Sequence, residues 1–111
     1  MNIAFDDRKL EKEWNNLPQL TRRHGDRRAK LIRRRLDEQR AAETLEDMRY
    51  LPGPRCHELK QDRAGQLSVD LDHPYRLIFT PAAPALTKPD GGLDWTQVTV
   101  IVVLGVEDTH A

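Results

Sequence analysis

The stretch Gln66-Leu67-Ser68-Val69-Asp70-Leu71-Asp72-His73-Pro74-Tyr75-Arg76-Leu77-Ile78-Phe79-Thr80 decides the fold. Leu67, Val69 and Leu71 alternate with Gln66, Ser68 and Asp70, the period of a strand with one buried face. Asp72-His73-Pro74 is a tight turn in composition, and Tyr75 to Thr80 is rich in residues that favour strands. The stretch therefore predicts a β-hairpin.

Working outward from it, Cys56 to Lys60 predicts a preceding strand, joined through Asp62-Arg63-Ala64-Gly65. Downstream, Val98 to Val106 is apolar on both faces, as expected of a strand inside a sheet. The connection over 81–94 carries Pro81, Pro84, Pro89, Gly91 and Gly92 and reads as a long loop. Upstream the period changes to that of helices. Residues 3–5 can form a short strand. Asp6 is a candidate N-cap, with Phe5 and Leu10 placed as a hydrophobic staple. Leu10, Trp14 and Leu17 share a helix face, which Pro18 should end. A second helix is expected from about Leu20 to Ala42, burying Ala29, Ile32 and Leu36 with Leu31 beside them. Thr44 and Asp47 suggest a capping-box variant that opens a short helix over Leu45 to Leu51, stopped by Pro52-Gly53-Pro54. Helices followed by hairpin-linked strands predict an α+β fold, with N-terminal helices packed on a small, mostly antiparallel, twisted sheet. One domain is expected over 1–111, helical over about 6–51 and sheet over about 56–107.

The chain has 111 residues, 18 Lys+Arg and 18 Asp+Glu, and a formal net charge of zero. Charged residues make up 32% of it, against about 25% in an average domain. Zero charge excludes a uniformly basic nucleic-acid binder. The charges nevertheless segregate. Residues 1–63 hold 16 basic and 12 acidic side chains, and residues 64–111 hold 2 against 6. Residues 21–40 alone carry 9 basic against 3 acidic. Met1 to Asp7 lacks the basic and apolar regions of a signal peptide. The run Val98–Val106 falls far short of the roughly 20 residues of a spanning helix. One cysteine cannot form an internal disulfide, and the histidines show no zinc-ligand spacing. A cytoplasmic protein without metal or other cofactor, and without a membrane partner, is expected.

The longest chemically informative segment is Thr44-Leu45-Glu46-Asp47-Met48-Arg49-Tyr50-Leu51-Pro52-Gly53-Pro54-Arg55-Cys56-His57-Glu58-Leu59-Lys60-Gln61-Asp62-Arg63-Ala64-Gly65. It leads on to Tyr75-Arg76-Leu77, and the chain closes with Glu107-Asp108-Thr109-His110. In motif, order and spacing this resembles the RelE/ParE superfamily of toxins, and in particular its HigB (host inhibition of growth, killer protein) branch. The shared pieces are the Leu-Glu-Asp-Met helix, the Leu-Pro-Gly turn, the His-x-Leu-Lys-x-Asp-Arg-x-Gly strand and turn, and the aromatic-Arg-Leu strand. The resemblance spans roughly residues 20–80 and 98–110. It implies the toxin of a type II toxin–antitoxin system, with a RelE-like fold and metal-independent endoribonuclease activity on ribosome-bound mRNA. It also implies a cognate helix-turn-helix antitoxin, through which oligomers could form. Two departures stand out. Thr109 replaces the terminal tyrosine of the pattern. Ser68 and Asp70 lie where the RelE branch carries lysines.

Metal-free RNA cleavage needs a base for the 2′-hydroxyl, an acid for the 5′-oxygen and cations for the developing phosphorane charge. His57 and His110 are the candidate acid and base, because an ordinary histidine titrates near neutrality. Arg76 and Lys60 are the candidate cations, and Asp108 could orient a histidine or act as a base. Attack by the 2′-hydroxyl would leave a 2′,3′-cyclic phosphate. Taken singly, each of these is an ordinary solvated residue; it is the resemblance that raises them. Cys56 should face away from its neighbour His57 and serve as an inert buried thiol. His73 reads as an exposed turn residue and His24 as a helix-start or loop residue.

Arg27, Arg28, Lys30, Arg33, Arg34 and Arg35, with Arg63 further on, are the candidate RNA-binding residues, acting through salt-dependent phosphate neutralisation. An acidic antitoxin segment could compete for the same surface. Most of the six aromatics are needed by the core, so a base-stacking platform is poorly supported. The rival reading is non-catalytic: a toxin-fold protein that binds a protein target, as the ParE branch does DNA gyrase, or only its antitoxin. Thr109 favours that rival, whereas His57, Lys60, Arg76 and His110 favour the nuclease.

Overall fold

The computed structural model describes residues 1–82 and 87–108. Strand β1 (Asn2–Phe5) is followed by helices α1 (Arg8–Trp14), α2 (Leu17–His24) and α3 (Asp26–Ala41). A 3-10 helix covers Leu45–Tyr50. Then come β2 (His57–Glu58), β3 (Leu67–Asp70), β4 (Tyr75–Pro81) and β5 (Val100–Asp108). Short 3-10 turns occupy Gln61–Arg63 and Trp95–Gln97. The sheet order is β1-β5-β4-β3-β2, antiparallel except for the β1–β5 pair. The expected α+β architecture is the one observed. No helix among the described residues is long and apolar enough to cross a membrane.

The helical part differs from expectation in its punctuation. The single helix expected from Leu20 to Ala42 is broken at Gly25, whose φ of 83° and ψ of 161° suit glycine alone. That residue ends α2 and starts α3. Pro18 does not stop a helix but sits in the first turn of α2, where its missing N–H costs nothing. Leu17 consequently starts α2 and is exposed, rather than sharing the face of Leu10 and Trp14. The cap of α1 is Asp7, not Asp6: its carboxylate accepts the Leu10 amide at 2.7 Å. Thr44 makes no capping bond; instead Asp47 accepts the Glu43 amide at 3.0 Å. His24 is the last residue of α2. Burial holds its pKa below the ordinary value, against the opposing pull of Glu13.

Helices cover one face of the sheet. Leu67, Val69, Leu77, Phe79, Ile101 and Val103 point to that face and meet Trp14, Leu20, Ile32 and Leu36 in one cluster. Each large side chain so buried contributes about 1.5–3 kcal/mol. Among the described residues no helix covers the other face. Its rows follow from the register: His57 pairs with Ser68, Ser68 with Ile78, and Ile78 with Gly105, while Asp70 pairs with Arg76 and Arg76 with Glu107.

A bulge in β5 shapes the second row. Ile78 pairs with Gly105 but the next residue, Phe79, pairs with Val103. Gly105 takes the required positive φ of 143°. The extra residue reverses the alternation beyond it, so Val103 and Val106, three apart, both reach the helical side. Glu107 then falls on the open face beside Arg76. Asp108 takes the register position of Tyr75, on the helical side.

Candidate functional site

Four residues close a ring on the open face at the β2–β3–β4 edge. His57 lies on the two-residue edge strand β2, and its Nδ1 is 2.9 Å from the Arg55 carbonyl oxygen. Its Nε2 is 2.8 Å from Arg76 Nη1, on β4. Arg76 Nε lies 3.4 Å from Asp70 Oδ1, and Arg55 Nε lies 3.5 Å from Asp70 Oδ2. Ser68 Oγ accepts a longer bond from Arg76 Nη1 at 3.5 Å. A carbonyl oxygen only accepts and a guanidinium only donates. The His57 ring is therefore assigned as the neutral tautomer, with its proton on Nδ1 and its lone pair on Nε2.

Each member is held from outside the ring. The Asp70 amide donates to Pro54 O at 2.7 Å, and its carbonyl accepts from Arg35 Nε at 2.7 Å. Arg35 also donates to Gly53 O at 3.3 Å and to Glu38 Oε1 at 2.9 Å. Arg55 adopts a left-handed φ of 46°, unusual for a non-glycine residue, at the point where its carbonyl meets His57. A small cavity of about 50 Å³ opens beside the ring, lined by Arg55, Asp70, Leu71, His73, Tyr75 and Arg76 among others. On the far side, Arg63 donates to Gln66 Oε1 at 2.8 Å and to Glu107 Oε2 at 2.7 Å. It thus links the β2–β3 turn to β5.

Of the expected catalytic residues, His57 and Arg76 are brought together. Lys60 is exposed, just before the turn at Gln61–Arg63. Asp108 is not in the row of Arg76; Glu107 is. His110, like Thr109, lies outside the described residues. Arg55 was not anticipated. It precedes β2 and lies off the regular alternation, so only its two-residue spacing from His57 hinted at a shared face. The Asp70–Arg76 pairing was open to anticipation, because a three-residue turn at Asp72–Pro74 sets Leu71 opposite Tyr75 and Asp70 opposite Arg76.

The arginines of α3 divide by helix face. Ala29, Ile32, Leu36 and Gln39 are buried toward the sheet. Arg35 joins them, only 7% exposed. Arg28 forms a two-bond fork on Asp72, at 2.9 and 3.1 Å, and lies 3.5 Å over the Tyr75 ring. Its hydrogen bonds hold the Asp72 carboxyl below the usual range. Arg33 donates to the Trp14 carbonyl at 3.3 Å. Arg27, Lys30 and Arg34 remain as an exposed stripe at i, i+3 and i+7, with loose surface pairs from Lys30 to Asp26 and from Arg34 to Glu38. This stripe is on α3, whereas His57 and Arg76 are on sheet strands β2 and β4.

Cys56 packs against the helical-side core while His57 faces the open side. Burial pushes the Cys56 thiol up to about 12, which suits an inert core residue. Among the described residues no three His, Cys, Asp or Glu side chains are grouped to hold a metal ion. No family model matches the chain, and no curated protein matches it either.

Proposed function

We propose that this chain is a HigB-like toxin of a type II toxin–antitoxin system, a cytoplasmic, metal-independent endoribonuclease acting on ribosome-bound mRNA. The observation that carries the proposal is the 2.8 Å, half-buried contact between His57 Nε2 and Arg76 Nη1 on the sheet face away from the helices. A neutral imidazole with a lone pair on Nε2 is the form a general base requires. The guanidinium that meets it can take two phosphate oxygens in a fork. Phosphate engaging Arg76 would release Nε2 to accept the 2′-hydroxyl proton. Arg55 and Arg63 add positive charge nearby. The exposed stripe of Arg27, Lys30 and Arg34 suits a separate contact with ribosomal RNA, because it lies on α3 and not on the sheet that carries His57 and Arg76. A helix-turn-helix antitoxin is the partner this reading requires.

The non-catalytic rival draws on one observation: Asp70 and Glu107 already pair with Arg76, Arg55 and Arg63. Such a face could bind a protein target or an antitoxin without cleaving RNA.

The test is cleavage of mRNA on purified ribosomes by the wild type, His57→Ala, His110→Ala and Arg76→Ala. Removing a general base or acid costs about 10²–10⁴-fold in rate. Losses well under tenfold in both histidine variants would sink the assignment. Intact mRNA together with DNA damage on induction would favour the protein-binding reading.

A further inference from the structure

We infer that Arg55 and Arg76 form an oxyanion site for a phosphodiester, and that Asp70 occupies this site as an internal competitor in the free protein. The inference rests on the nuclease reading for the identity of its ligand, but not for its geometry. The two guanidinium groups flank one carboxylate, each presenting Nε to a different oxygen, at 3.5 and 3.4 Å. Two guanidinium groups beside one anion concentrate positive charge where each could fork onto the oxygens of a phosphate. The carboxylate fills this site poorly. Asp70 Oδ1 is buried and, beyond its 3.4 Å ion pair with Arg76, has no hydrogen-bond partner among the described residues. Burying such an acceptor unsatisfied is a cost that a better-fitting anion would relieve.

The surroundings hold the Arg76 guanidinium, which meets His57 Nε2 and Ser68 Oγ, more firmly than they hold the Asp70 carboxylate. The backbone of Asp70 is fixed by Pro54 and Arg35, but its side-chain oxygens have only the two long ion pairs. The Arg55 backbone meets His57 Nδ1, and Arg76 Nη1 meets His57 Nε2. The Arg76 guanidinium is thus tied to the imidazole directly, and the Arg55 backbone, not its guanidinium, is anchored to the same ring. The Arg55 side chain is 66% exposed, so it can turn to a ligand without unpacking the core. A phosphate entering from the open face and the adjoining cavity would present oxygens to both arginines while the Asp70 carboxylate swings toward solvent. The negative charge of Asp70 accordingly sets the threshold for anion binding, and Arg55 joins Arg76 as a ligand-binding residue.

The test is titration of the folded protein with inorganic phosphate and with an all-deoxy oligonucleotide, which lacks the 2′-hydroxyl nucleophile. Asp70→Asn keeps the shape and removes the competing charge. It should tighten both ligands by roughly three- to tenfold, the scale of a partly exposed ion pair, and more at low salt. Arg55→Gln should weaken both by a similar factor while the fold, in which this side chain is exposed, is kept. Asp70→Asn binding that is unchanged or weaker would overturn the competitor role. Arg55→Gln binding that is unchanged would overturn the two-arginine site, even if Asp70→Asn did not fold. Tighter binding by Asp70→Asn in a protein that cleaves no RNA would uphold this site and refute the nuclease. Cleavage by the wild type with no effect of either variant would do the reverse.

Discussion

Arg35 separates two views of the arginine-rich helix, and Arg35→Ala decides between them. If the run on α3 were one RNA-binding face, removing this residue would weaken RNA binding and leave stability alone. The structure places it inside. Its side chain is 8% exposed and bonds to Asp70 O, Gly53 O and Glu38 Oε1. A hydrogen bond made by a charged group contributes about 1.5–3 kcal/mol, and stripping one partner from a buried pair costs about 3–5 kcal/mol. Glu38 keeps some contact with water, its side chain being 22% exposed, so the low end applies. The expected loss is about 3 kcal/mol, or about 12 °C in Tm at roughly 4 °C per kcal/mol for a domain of this size. Urea unfolding with circular dichroism measures it directly. Arg34→Ala is the control, one residue away and 71% exposed, and should cost less than about 0.5 kcal/mol. A loss below about 1 kcal/mol for Arg35→Ala, or equal losses for the two variants, would refute the argument.

Two further outcomes follow from the same division of charges. Asp72 is depressed below its ordinary value by the Arg28 fork, so the folded state binds its proton less readily than the unfolded state. The stability it contributes is full above the unfolded carboxylate value of about 3.9 and is lost as pH falls through the lower folded value. Urea midpoints of the wild type and Asp72→Asn should therefore converge as pH drops from 5 toward the folded value; curves that stay parallel would refute this. Replacing Arg27, Lys30 and Arg34 together with Gln should leave the unfolding free energy within about 1 kcal/mol of wild type. On the RNA-contact reading it should reduce the slope of log K against log salt by about 2 for single-stranded RNA. An unchanged slope would remove this stripe from the interface.

What could be read from the chain depended on whether the relevant interaction was periodic. The hairpin was legible because alternation at Leu67, Val69 and Leu71 and the short turn at Asp72–Pro74 together set both the face and the register. That same register places Asp70 beside Arg76. Gly25 escaped because the apolar period continues across it: Leu20, Ala29, Ile32 and Leu36 are all buried, whichever side of the break they occupy. The face on which Asp108 sits is hidden for a related reason. Counting alternate residues from Ile101 sends Asp108 to the open face, and one extra residue near Gly105 exchanges it with Glu107. A bulge leaves only a glycine as its mark, and that glycine sits within an otherwise apolar strand. The arginines posed a different problem. Arg27 and Arg28, or Arg34 and Arg35, are chemically identical neighbours, and their roles depend on whether a carboxylate or carbonyl from the sheet reaches that side of α3. Asp72 reaches Arg28 from 44 residues away, and the Asp70 carbonyl reaches Arg35 from 35. Helix spacing could have marked Arg35 and Arg28 as adjoining the buried face of Ala29, Ile32 and Leu36, but not what they would meet there. A high positive count on a helix thus overstates its free charge, since here Arg28, Arg33 and Arg35 secure the fold and a stripe of Arg27, Lys30 and Arg34 remains for a partner.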